Sequence, residues 1–214
     1  MVDEFGILLI QMMENAGLQL ARLTGRIAAG GPITVIVGGG NNGGGGLAAA
    51  RRLHSWGFGV SVVTIKPLSS FTGLPAAQLR PLLRFGVPVC PFSGCIPKGS
   101  VIVDALIGYG LEGAVRGESS EIIKGMNQAG TPVVSLDVPS GLDADTGLPQ
   151  GVAVRAHGTV TLALPKRGLL ADGARQYVGQ LYVAVIGVPG EVLRLPGVHS
   201  PDIFREHGLI RLES

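Results

Sequence analysis

Two aspartates close apolar runs in this chain: Asp104 in "VIVDALIGYG" and Asp137 in "VVSLDVPSG", with Ser140 three residues beyond the second. A carboxylate at the end of a buried strand can carry a proton, hold a cation or cap the next helix. Together with Ser140 and the amide of Asn42, the pair is read as a set of oxygen ligands, and Asn41 adds a further amide beside it. Such a set suits a hard cation better than zinc or copper. The four histidines, at 54, 157, 199 and 207, have no metal-ligand spacing, and Cys90 and Cys95 are too few for a disulfide framework and lack zinc partners nearby. Lys66 follows another apolar run and is read either as a phosphate-binding or proton-assisting group or as a solvated surface lysine.

The other chemical feature is "VIVGGGNNGGGGLAAARRL" (35–53), an apolar run entering a stretch of Gly and Asn. Gly38, Gly40 and Gly43 satisfy G-x-G-x-x-G, but in a run so rich in glycine the match carries little weight. The dinucleotide fingerprint also wants an acid about 20 residues on, for the ribose hydroxyls, and this chain has Lys66 there. The Walker pattern fails because no Lys-Ser/Thr pair follows Gly45. The remaining reading is general: a bare backbone that lets N–H groups approach an anion, followed by the positive end of a helix beginning near Leu47.

These residues need a scaffold that gathers strand ends. Six runs rich in Val, Ile and Thr read as strands: 33–37, 60–65, 101–106, 132–138, 159–164 and 181–186. Most lack polar alternation, as strands buried on both faces do. Helices are expected at Leu8–Leu23, Leu47–Trp56 and Ser120–Gln128, the last with Ser119 as its N-cap. Residues 75–92, with Pro81 and Pro88, have no clear assignment, and the tail after Pro189 is expected to drape over the surface. Alternating strand and helix predicts a single α/β domain over 1–214 built of βαβ units around a mostly parallel sheet. Ligands in such sheets sit outside the carboxyl ends of the strands, where these candidates fall.

Composition agrees. The chain has 214 residues, 46% hydrophobic and only 15% charged, so its interior is large for its solvated surface. A net charge of +2 gives no nucleic-acid tail or polybasic patch. No apolar run reaches the ~20 residues that span a bilayer. The start has acids and no basic residue before its apolar part, unlike a signal peptide, so the cytoplasm is the expected compartment.

Five segments, in order, resemble the YjeF N-terminal domain family, the NAD(P)HX (NAD(P)H-hydrate) epimerases. They are "MMENAG" (12–17), "GGGNNGGGGLAAARRL" (38–53), "DALIGYGLEGAVRG" (104–117), "SLDVPSGLDADTG" (135–147) and "TVTLALPKRGLL" (159–170). The resemblance implies an enzyme that interconverts the epimers of NADHX and NADPHX, the hydrated forms of the reduced cofactors, so that a separate dehydratase can restore them. It implies a three-layer αβα, Rossmann-like fold, a homodimer and a potassium ion held by Asn42, Asp104 and Ser140. The implied substrate contacts are Asn41, Asn42, Gly43, Gly44, Gly108, Gly110, Leu111 and Asp137. The implied lysine after the second strand is Lys66. Asp137 is then the candidate acid/base and Lys66 its helper, for a step that moves protons and no electrons.

Three residues depart from the family pattern, Gly45, Tyr109 in place of the common Thr and Val185 in place of an Asp, and the first matters most. The family reads NNGGD where this chain has Gly45, and the expectation is a carboxylate missing from the mouth of the site. That departure gives the alternative function, a weakened or non-catalytic dimeric scaffold. Retention of Asn41, Asn42, Asp104, Asp137 and Ser140 argues for an enzyme.

Overall fold

The computed structural model describes residues 2–188 and 208–212. A short helix α1 (Val2–Phe5) and a long helix α2 (Leu9–Ala28) precede the first strand. Then follow β1 (Ile33–Val37), α3 (Asn41–Ser55), β2 (Val60–Thr64), α4 (Gly73–Arg84), β3 (Val89–Pro91), β4 (Val101–Ala105), α5 (Gly117–Gln128) and β5 (Val133–Leu136). The chain continues through β6 (Gly158–Leu162), α6 (Arg175–Val178), β7 (Gln180–Ala184) and β8 (Leu209–Arg211). All six expected strands are present. Of the tail after Pro189, expected to drape over the surface, residues 208–212 are described and instead join the sheet through β8, while 189–207 lie outside the described residues.

The strands form one sheet in the order β3-β2-β1-β4-β5-β6-β7-β8. All pairings are parallel except β7 with β8, where Tyr182 faces Arg211. The chain leaves β1 in one direction to build β2 and β3, then returns to place β4 on the other side of β1. The switch in strand order therefore falls between β1 and β4, whose registers run together from Ile33 opposite Val101 to Val37 opposite Ala105. Ligand crevices open above such a point.

Alternate residues of each strand enter opposite layers, as the period of two requires. Val35, Val37, Val62 and Val103 pack with Ala16, Leu20, Leu47, Leu53, Leu79 and Leu82 of α2, α3 and α4. Ile36, Val63 and Ile102 pack on the other face with Ile122, Ile123 and Met126 of α5. Both faces of β1 and β4 are buried, which is why these runs carry no polar alternation.

Three helix expectations need correction. Helix α3 starts at Asn41, not near Leu47, so "NNGGGG" is helix and the bare turn is only Gly38–Gly40. Each helical glycine costs about 1 kcal/mol against Ala, and space is the compensation. A Cβ on Gly44 would lie 2.7 Å from Met13 Cε, on Gly45 2.7 Å from Leu136 Cδ2, and on Gly46 2.5 Å from Ala105 Cβ. The glycines let α3 lie flush against α2 and the sheet. Helix α5 starts at Gly117 with Arg116 before it, so Ser119 is inside the helix and not its cap. Helix α2 runs on to Ala28, through Gly25, where the ring of Phe58 covers the missing side chain.

Candidate active site at the sheet switch point

The turn after β1 lies directly on the end of β4. Gly38 donates its N–H to the Ala105 carbonyl at 3.1 Å, and a Cβ there would overlap the Leu106 carbonyl. Helix α3 begins immediately beyond, with exposed Asn41 and half-buried Asn42 in its first turn. The N–H groups of Asn41, Asn42 and Gly43 have no intrahelical acceptor by helix geometry, whereas that of Gly44 bonds Gly40 at 3.0 Å. Gly43 and Gly44 are buried. The N–H groups open at the helix start are thus those of Asn41, Asn42 and Gly43, whereas that of Gly44 is already taken.

Asp104 is completely buried at the end of β4. Its Oδ1 accepts from Ser140 Oγ at 2.5 Å and Leu106 N at 3.3 Å; its Oδ2 accepts from Ser135 Oγ at 2.8 Å and Ser140 N at 2.9 Å. Burial pushes this carboxyl above its usual range, opposed by the bonds from Ser140, Ser135 and Leu106. No cationic side chain pairs with it among the described residues. The Ser140 hydroxyl also lies 3.1 Å from the Ile107 carbonyl and accepts from Ile107 N at 2.9 Å. One hydroxyl proton therefore serves two oxygens. The Asn42 amide packs on Gly108 in the turn after β4, where a Cβ would lie 3.0 Å from Asn42 Oδ1. Its Nδ2 is buried without a partner.

Asp137, next along the sheet edge, is 7% exposed and adopts φ 68°, the left-handed region. Asp tolerates that region better than most residues. Its Oδ2 accepts from Tyr109 N at 3.1 Å, and its Oδ1 is ion-paired with Lys166. The turn from Leu106 to Tyr109 is thereby tied to both aspartates. Gly110 is exposed in the same turn, and Leu111 packs into the layer of α5.

The expected helper lysine is elsewhere. Lys66 is exposed and lies over Gly39, where a Cβ would be 3.4 Å from Lys66 Cδ. That placement suits an anion at the β1 turn. The lysine on Asp137 is Lys166, which sequence reasoning did not nominate although it sits in "LALPKRG" of the last matching segment. The signal was there: a lysine after a proline at the end of a buried strand. Gly45 also differs from expectation. It is buried inside α3 and directed at Leu136, not at the mouth of the site.

A mostly parallel sheet with helices on both faces, a helix N-terminus and a strand-end carboxylate at its switch point, and a second carboxylate one strand further along, defines a doubly wound α/β protein. The chain belongs to the family described as YjeF-related protein N-terminus, which matches residues 9–168. It is 42% identical over 205 residues to the NAD(P)H-hydrate epimerase of Dehalogenimonas lykanthroporepellens, covering 93% of this chain and 81% of that protein. It is 40% identical over 193 residues to the bifunctional NAD(P)H-hydrate repair enzyme Nnr of Coxiella burnetii, spanning 89% of this chain but only 40% of that protein. The crystal structure of yeast YNL200c superposes with a TM-score of 0.72 at 27% identity, covering 98% of this chain and 92% of that one.

Proposed function

We propose that the chain is an NAD(P)H-hydrate epimerase, inverting the hydroxyl-bearing ring carbon of NADHX and NADPHX. Relatives that carry that name at 42% and 38% identity support the reaction. The observation that carries it is Asp137: a carboxylate on left-handed backbone, bonded by an N–H and an ammonium, two strands along the sheet from the open end of α3.

The pyrophosphate would lie on the N–H groups at the start of α3, with Lys66 beside it. The hydrated ring would then reach the Tyr109–Asp137 side. Inversion proceeds by loss and return of water, or by opening and closing of the ring. In either route Asp137 takes or gives one proton and recovers its starting state, and no electrons are transferred. The intact Asp104, Ser140 and Asp137 constellation supports an enzyme over a scaffold.

The residues fit a potassium ion. Asp104 is a buried carboxyl without a cationic partner among the described residues, and the oxygens of Ser140 Oγ and the Ile107 carbonyl beside it, with the Asn42 amide over Gly108, are hard donors. Such an ion would be held by Asn42, Asp104 and Ser140. It would supply a fixed positive charge that compensates the buried carboxylate.

A homodimer, a separate dehydratase as functional partner and a cytoplasmic setting complete the proposal. The bifunctional relative supports the link to a second repair activity. Of the apolar residues expected at a dimer surface, Met13 is buried and Met12 packs on the chain's own core, which leaves Leu8 and Leu9, 54% and 37% exposed. No helix among the described residues is long and apolar enough to cross a membrane.

The test is incubation of the protein with an NADHX epimer mixture and an NAD(P)HX dehydratase. Faster disappearance of the epimer that the dehydratase does not use is the expected result, and its unchanged persistence refutes the proposal.

A further inference from the structure

Among the described residues three non-glycines have positive φ: Ala29, Asp137 and Ala163. Ala29 caps α2. The other two end adjacent strands in the same way. Val138 N bonds Leu136 O across Asp137 at 2.9 Å, and Leu164 N bonds Leu162 O across Ala163 at 2.7 Å. Such three-residue turns with a positive central φ are rare and strained. Residues held like this cost about 1–3 kcal/mol each and cluster where function needs them. The first turn presents Asp137. The second, followed by Pro165, brings Lys166 back over the end of its own strand.

There the Lys166 ammonium meets three acceptors: the Asp137 carboxylate, Thr161 Oγ1 at 3.3 Å and the Leu162 carbonyl at 3.1 Å. An ammonium has three N–H groups, so each has a partner and none is left to give. Its side chain is 18% exposed and that of Asp137 11%, so water does not compete freely for either. With Lys166 on Oδ1 and the Tyr109 N–H on Oδ2, both carboxylate oxygens are fixed and the plane of the group is set.

We infer that Lys166 is a positioning residue that holds the Asp137 carboxylate in one orientation throughout the epimerisation. The inference rests on Asp137 being the acid/base group. Without Lys166, Asp137 keeps one N–H and its carboxylate can turn about its last bond. A misplacement of about 1 Å in a reacting group can cost on the order of 10² in rate. Substrate holding falls to the start of α3, so KM is expected to change little.

The experiment is a double-mutant cycle in the coupled NADHX assay, using Lys166→Met, Asp137→Asn and the pair, with Lys166→Arg as the conservative variant. Lys166→Met is expected to lower kcat roughly 10²-fold with KM within about threefold, and Lys166→Arg to recover at least about a tenth of wild-type kcat. The pair is expected to be no slower than Asp137→Asn alone, because a residue that acts through Asp137 has nothing further to lose. Wild-type kcat in Lys166→Met overturns the inference. So does a pair whose losses multiply, the outcome if Lys166 only supports the fold. An active wild type with undiminished Asp137→Asn instead removes the acid/base reading, and an inactive wild type removes the epimerase reading.

Discussion

Replacing Asp104 by Asn separates the geometry of its site from the charge. The shape is kept and one oxygen becomes an NH2. Four donors surround the carboxylate, two hydroxyls and two backbone N–H groups. The hydroxyls can rotate to accept, but the N–H groups of Leu106 and Ser140 cannot. Whichever way the amide is placed, it faces one of them, and the longer 3.3 Å contact from Leu106 makes that side the better choice. A buried donor left unpaired costs about 1–3 kcal/mol. For a chain of this size that is a fall in Tm of about 2–12 °C. A cation adds a second readout. If potassium compensates Asp104, the wild type melts higher in potassium chloride than in tetramethylammonium chloride of equal ionic strength, by about 2.7 kcal/mol at a hundredfold excess over Kd. Asp104→Asn removes the charge that attracts the ion, so the two salts should give one Tm. Differential scanning calorimetry in both salts measures both effects. An Asn variant that melts with the wild type refutes the hydrogen-bond accounting, and one that keeps the full salt difference refutes the cation site.

Glu14 joins three helices, accepting from Arg51 at 2.6 Å, Arg52 at 2.8 Å and Gln78 at 2.7 Å. Burial acts to raise its pKa, but the bonds from Gln78 and Arg51 and the two arginine charges outweigh it and hold the carboxyl below the usual range. A depressed folded pKa gives stability that is present above the ordinary carboxylate value and lost as pH falls through the lowered one. The Tm advantage of wild type over Glu14→Gln should therefore shrink as pH is taken from 7 towards 3, and an advantage independent of pH would contradict the pairing. Gly46→Ala is expected to destabilise by roughly 1–3 kcal/mol, because overlap with Ala105 outweighs the gain in helix propensity. Gly40→Ala meets open space, so urea denaturation should find it within about 0.5 kcal/mol of wild type. Gly45→Asp would push a carboxylate against Leu136 Cδ2 in the interior and away from the mouth of the site, so it is expected to destabilise by about 1–3 kcal/mol with no gain in turnover; a raised kcat refutes that placement. Sedimentation at micromolar concentration should show a dimer, and a monomer there removes the partner role given to Leu8 and Leu9.

The elements around the site differ in how far the linear chain reveals them. Strands β1, β2, β4, β5, β6 and β7 are legible because burial on both faces demands unbroken apolar runs, a local property of composition. Asp104, Asp137 and Ser140 are legible for a related reason: a charged or hydroxyl residue closing such a run must sit at the strand end, where a parallel sheet collects its ligands. The short edge strand β3, with Pro91 in it, and the antiparallel β8 carry no such signature, since half their pairing capacity faces away from the sheet. The run "NNGGGG" misleads because local propensity argues against a helix there. Contacts with Met13, Leu136 and Ala105, distant in sequence, leave no room for side chains and decide the matter. The choice between Lys66 and Lys166 is likewise tertiary. Both follow strands, and only the left-handed turn at Ala163 and the pairing of β5 with β6 bring one of them onto Asp137. A run of residues specifies what it will bury, but which distant side chain meets it depends on strand order and turn geometry, and neither is local to the run.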